Sequence, residues 1–219
     1  MTTPPVEPLQ QRMRDRMRTE VAATAVDLFL ANGFDETTVD EICARVGLSR
    51  RSFFRYFRGK EDVVVSEFTA VAEQGCREFV ARPPDEDVWT ALRRGMDPFV
   101  AWVDADRRRA IALLRLVEQS PTLRASYLDR VDTWRASLAV VLSARLSNGD
   151  DPNELEVAVI AAACISAYIA ASRHWASSAN GDSPSTTFDE AFGVLAPKVL
   201  PTKTNRHSSP RRRKPPMGQ

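Results

Sequence analysis

Apolar residues recur along this chain at intervals of three and four, with polar residues filling the gaps. Val21, Ala25, Leu28 and Phe29 stand at i, i+4, i+7 and i+8, which puts one apolar stripe on a helix. That stripe predicts a first helix over about 11–31, closed by Asn32-Gly33. Val39, Ile42, Cys43 and Val46 repeat the spacing in a second helix. Thr38 stands where a cap is needed, and Glu41 three residues on completes a capping box. Gly47 ends this helix, Ser49 caps a short third one running to about Tyr56, and Gly59 breaks it. A fourth runs from Lys60 to about Val80. After Pro83-Pro84 the same periodicity predicts helices over 85–103, 107–118, 122–146, 153–177 and 186–199. No alternating apolar–polar run bounded by turn residues suggests a strand. The fold class is therefore all-α, with about nine helices.

Charge changes the picture by its distribution. The net charge is +1, but 10–60 carries ten basic and seven acidic residues while 61–201 carries 14 basic and 21 acidic. The stretch from Arg45 to Lys60 holds six basic residues and no acidic one. A basic patch on an otherwise acidic chain is the footprint of docking on phosphates. From Pro201 onward Pro, Ser, Lys and Arg replace the apolar residues, which reads as a disordered basic tail. Cys43, Cys76 and Cys164 are odd in number and far apart, which points to a reducing compartment and away from a disulfide framework or a zinc site. The longest apolar run, 157–171, is Ala-rich, flanked by charge and shorter than the roughly 18 to 20 residues that span a bilayer. With no apolar stretch after Met1, the expectation is a cytoplasmic protein without a membrane partner, metal or cofactor.

Two short helices joined by Gly47-Leu48-Ser49 form a helix-turn-helix pattern: glycine for the tight turn, leucine between the helices, serine on the open N–H groups of the second. That second helix offers Arg50, Arg51 and Ser52 at its first turn, the part that enters a major groove. Arginine can bond guanine O6 and N7 together, and serine can bond several base edges. Arg55, Tyr56 and Lys60 follow where flanking phosphates would lie, and Phe53 and Phe57, four apart, belong inside.

The block from Ala22 to Val65, with Asn32-Gly33-Phe34, Thr37-Thr38-Val39, Gly47-Leu48-Ser49, Phe53-Phe54-Arg55-Tyr56-Phe57 and Lys60-Glu61, resembles the DNA-binding domain of the tetracycline-repressor (TetR) family. The resemblance implies a homodimer whose two reading heads enter major grooves of a near-palindromic operator in double-stranded DNA. It matches Thr38 and Tyr56 to phosphate-contacting positions, Lys60 to the lysine that opens the fourth helix, and Ser49, Arg50, Arg51, Ser52 and Phe54 to the recognition turn. Arg51 stands where many members carry a small residue, which bears on the operator sequence. The implied organisation is an arm over 1–10, a helix-turn-helix domain over 11–64, a ligand-binding and dimerisation bundle over 65–200, and the tail over 201–219.

The bundle holds most of the aromatics: Trp89, Phe99, Trp102, Tyr127, Trp134 and Trp175, beside Tyr168. Pockets between bundle helices are usual small-molecule sites, so the first six of these, with Arg115 and His174, are candidate effector contacts; any one of them, taken singly, reads first as core. The Ala-rich helix over 154–177 and the last helix are the candidate dimer interface. The segment 113–124 is similar to a branch of the family regulated by acyl-coenzyme A, including mycofactocin-type regulators, which implies an acyl-coenzyme A or another hydrophobic effector. Arg107, Arg108, Arg109 and Arg115 could meet a coenzyme's phosphates or simply answer nearby acids. Against an enzyme stand the two histidines, His174 and His207, and the lack of any nucleophile, phosphate-loop or HExxH motif. A ligand-independent DNA-binding regulator and a redox sensor built on Cys43 are the other readings.

Overall fold

The computed structural model describes residues 9–147, 152–178 and 183–195, and the described residues form ten helices and no strand. They are α1 (Leu9–Asn32), α2 (Val39–Val46), α3 (Arg50–Phe53), α4 (Lys60–Ala81), α5 (Val88–Arg94), α6 (Asp97–Ala105), α7 (Arg107–Gln119), α8 (Pro121–Leu146), α9 (Glu154–Ser177) and α10 (Pro184–Leu195). The basic tail, nearly all of the arm and the end of the last expected helix lie outside the described residues. The segment 85–103, read as one helix, is two. Pro98 lacks the N–H that a continuous helix would aim at the Arg94 carbonyl, so α5 stops at Gly95 and α6 restarts with proline in its first turn.

α1, α2, α3 and the start of α4 close around one core. Val21, Ala25, Val26 and Phe29 of α1 meet Phe34, Ile42, Phe53, Phe57, Val63 and Val64, all buried. Each such aromatic contributes about 1.5–3 kcal/mol by leaving water. Two turns need positive φ, and glycine supplies it: Gly33 at 93° and Gly47 at 69°. Gly47 also returns its N–H to the Cys43 carbonyl, which ends α2.

α4 runs without interruption across the expected domain boundary at 64/65. Its first turns seal the head, and its later turns pack on α6 and α8. Three carboxylates of the head are also held by the bundle. Arg109 of α7 pairs with Asp27 at 2.9 Å, the Ser120 hydroxyl donates to Asp35 at 3.0 Å, and Arg130 of α8 approaches Asp62 at 3.6 Å.

α9 packs between α8 and α10. Among the described helices it alone is long and apolar enough to cross a membrane, and its buried face shows where that hydropathy goes: Val157, Ile160, Ala161, Cys164, Tyr168, Ala171 and Trp175 all point into the bundle. Small alanines share this face with Tyr168, which meets the larger rings of α6 and α10. Those rings form a continuous network. Phe99 lies 5.2 Å from Tyr168, 5.4 Å from Phe188 and 5.5 Å from Trp102; Phe68 meets Trp102 and Tyr127; Tyr127 meets Trp134. The buried Arg93 ties α5 to α10 through Asp189, Ser185 and, on its own side, Asp97.

Candidate functional site

The helix-turn-helix is fixed by its caps. Thr38 accepts the Glu41 N–H, while the Glu41 carboxylate accepts from the Thr38 N–H at 2.7 Å and its hydroxyl at 2.9 Å. The backbone bond from Thr38 holds the Glu41 carboxyl below its ordinary value. Ser49 accepts the Ser52 N–H at 3.2 Å and opens α3. The regular part of α3 is one turn long; the chain then tightens through i→i+3 bonds from Arg55 to Ser52 and from Tyr56 to Phe53. Phe53 and Phe57, both buried with centroids 5.6 Å apart, anchor this turn from beneath.

What projects outward is cationic and aromatic. Arg51 is exposed and has no partner among the described residues. Phe54 is 48% exposed, with its ring set edge-on to Phe53 at 5.5 Å. An exposed ring on a cationic turn suits the methyl group of thymine, as an arginine suits guanine. Arg50 is already paired with Asp40 of α2 at 3.0 Å, both side chains in solvent. Arg55 lies over the Tyr56 ring at 5.3 Å and reaches its hydroxyl at 3.4 Å, so the two form one flank.

Lys60 is placed otherwise than a phosphate ligand would be. Its ammonium donates to the carbonyls of Phe34 at 2.7 Å, Asp35 at 3.0 Å and Thr37 at 3.1 Å, and sits 4.6 Å from the centre of the Phe34 ring. All three N–H bonds are committed within the protein. Lys60 is thus a strut between the start of α4 and the loop into α2.

Cys43 is buried on α2, and burial raises its thiol above the ordinary range. That withholds the thiolate which oxidation needs.

The eight candidate effector residues do not share one pocket. Phe99 and Trp134 line a narrow apolar cavity between α4, α6, α8 and α9, together with Phe79, Met96 and Tyr168. Arg115, Tyr127 and His174 border a separate cleft of about 530 Å³ between α7 and α9, which the Arg173–Glu118 pair bridges at 2.8 Å. Trp102 faces an outer groove between α1, α4 and α6. Trp175 is wholly buried, with the Arg107 guanidinium 4.9 Å over its ring. Trp89 is buried in α5. Tyr168 is the residue sequence reasoning named as aromatic but did not select. Its signal was its place seven residues before Trp175 on the same Ala-rich helix. Burial pushes Tyr127 up to about 12 and Tyr168 well above its ordinary value, so both phenols stay neutral and bond one another.

Residues 22–66 match the family described as bacterial regulatory proteins, tetR family, and residues 86–200 match the MftR C-terminal domain. The chain is 30% identical over 207 residues to the HTH-type transcriptional regulator TcmR of Streptomyces glaucescens, covering 91% of each chain. It is 26% identical over 167 residues to a mycofactocin biosynthesis transcriptional regulator, MftR, of Mycobacterium tuberculosis, covering 75% of this chain and 82% of that one. The fold is shared with the transcriptional regulator FadR of Bacillus subtilis solved with stearoyl-CoA: TM-score 0.58 and 16% identity over 81% of this chain and 96% of that one.

Proposed function

The chain belongs to the TetR family of transcriptional regulators, and from that premise we propose that it is a homodimeric repressor of a near-palindromic operator, released by a small hydrophobic effector. The observation that carries this reading is the recognition turn. Arg51 and Phe54 project from a single turn whose backbone is fixed by the Ser49 cap and whose underside is two buried phenylalanines. Such a turn enters a groove without reorganising, so its contacts with base edges are made at little entropic cost. Ser52, Arg55 and Tyr56 complete the contact set from the same turn, with Thr38 at the start of α2.

The dimer is built on the outer face of α9 and on α10. Leu155 and Val159 of α9 and Val194 of α10 are more than half exposed, an apolar surface of the kind a second copy covers. The work is done in the cytoplasm, where the DNA is. Acyl-coenzyme A is the second reading of the effector. It is favoured by the α7–α9 cleft, where Arg115, Arg173 and His174 stand beside an apolar floor of Leu114, Val117 and Ile169, and it parallels the stearoyl-CoA of the FadR neighbour.

The test is a mobility shift with purified protein on the DNA upstream of its own coding region. Tight binding that falls at least about tenfold in Arg51→Ala, the scale of one lost bidentate base contact, supports the reading. Weak binding, strongly reduced by salt and indifferent to Arg51→Ala, would sink it. Sedimentation of Leu155→Asp as a monomer, against a wild-type dimer, tests the interface.

A further inference from the structure

The apolar cavity between α4, α6, α8 and α9 contains one feature that packing does not explain. Trp134 of α8 lines it and is only 7% exposed, yet its indole Nε1–H has no hydrogen-bond partner among the described residues. Buried donors are almost always paired, because losing water without gaining a partner is costly. Trp89 has the same unpaired N–H but does not line this cavity.

The rest of the lining defines what could pair with it. None of the lining residues is charged. Phe79, Phe99 and Tyr168 supply ring faces, and the Cys76 thiol is kept neutral by burial. A carboxylate or phosphate placed here would lose its hydration and meet no cation, which is prohibitive. The open space is about 50 Å³, so a guest enters by moving a wall. Met96, half-buried in the turn between α5 and α6, is the adaptable one.

We propose that this cavity takes an uncharged, mainly apolar ring compound carrying one hydrogen-bond acceptor, and that the acceptor meets Trp134 Nε1–H. This rests on the effector reading above and gives that effector a chemistry. The wall that yields stands on α5 and α6, against α4, and α4 continues into the reading head. Occupancy therefore shifts a rod whose far end is held by Lys60.

Three probes on one skeleton separate the possibilities: 1-indanone, indane and indane-1-carboxylate, titrated into the full chain by calorimetry with thermal shift alongside. The expected result is that 1-indanone binds about tenfold more tightly than indane, the scale of one hydrogen bond to a donor otherwise orphaned. The carboxylate shows no binding. In Trp134→Phe, which keeps the ring and removes the N–H, 1-indanone and indane become equal. Equal affinities in the wild-type protein, or a preference for 1-indanone that survives in Trp134→Phe, overturns the proposal, as does preferred binding of the carboxylate. The wild-type comparison stands even if the variant misfolds. Operator binding is measured in parallel. 1-Indanone that binds through Trp134 without loosening DNA supports the cavity chemistry and removes the effector reading; carboxylate-driven release of DNA does the reverse.

Discussion

The reading head and the bundle solve opposite problems with the same helices. In the head, the helix-turn-helix itself is fixed within a few residues: Thr38 by Glu41, α2 by Gly47, α3 by Ser49. The groups proposed to meet DNA stand on top of that local order. In the bundle, the aromatic network and the buried Arg93 join residues tens of positions apart, and a cavity remains where the packing does not close. A surface that must match a rigid duplex gains from being preorganised. A site that must change shape when filled needs slack, and slack comes from long-range packing that can be rearranged.

Four substitutions sharpen that contrast, in descending order of effect. Gly75 of α4 lies against Gly95 at the end of α5, and a Cβ on Gly75 would stand 2.6 Å from the Gly95 carbonyl oxygen. Gly75→Ala should wedge these elements apart at a cost of about 1–3 kcal/mol, read by denaturant unfolding. It should also weaken operator binding in the absence of any effector, which a change confined to the bundle would not do if α4 were not a single rod. Lys60→Met should cost about 2 kcal/mol by stripping three carbonyls of a charged donor. The slope of operator affinity against salt should stay unchanged; a slope lower by about one would restore Lys60 to the phosphate contacts.

Thr38→Ala should cost about 1 kcal/mol by removing the cap, measured as a lower melting temperature. The partner Glu41 adds a pH signature. Its carboxyl is held below 4.5 in the folded chain, so its contribution is complete above that pH and is lost as pH falls through the lowered value. The gap between wild type and Thr38→Ala should therefore narrow in acid. The smallest effect belongs to Glu67 of α4, whose carboxyl is raised by burial, with Arg109 opposing. A raised carboxyl favours the fold when protonated, and that benefit disappears as pH rises through the raised value. Glu67→Gln should accordingly melt slightly higher than wild type at pH 7 and no higher at pH 4.

The same contrast explains what could be read from the sequence. Caps and turns obey rules that act over three or four residues, so Thr38, Gly47, Ser49 and the inward Phe53 and Phe57 were legible without a structure. The break at Gly95-Pro98 was also written locally, but an unbroken apolar stripe on both sides concealed it. The cavity was not legible. Phe99 and Trp134 meet there while Trp89 and Trp175 do not, and that choice depends on how helices cross, which periodicity does not encode. Lys60 shows the same limit at a single residue. Its type and position were evident, but the three carbonyls that turn it inward come from a loop more than twenty residues away.

If Arg50 meets DNA as proposed, its exposed pair with Asp40 bears on how quickly the protein scans a chromosome. An arginine already facing a carboxylate gives up that partner whenever it turns toward a phosphate, so its grip on arbitrary sequence is weaker than an unpaired arginine's. Weak contacts with random DNA shorten each pause and let a molecule slide and hop on to the next stretch. Only a sequence that offers Arg50 more than Asp40 does will hold it. On the proposed function, Asp40 would lower the background against which the correct site is recognised, by no more than the roughly 1 kcal/mol that an exposed pair contributes.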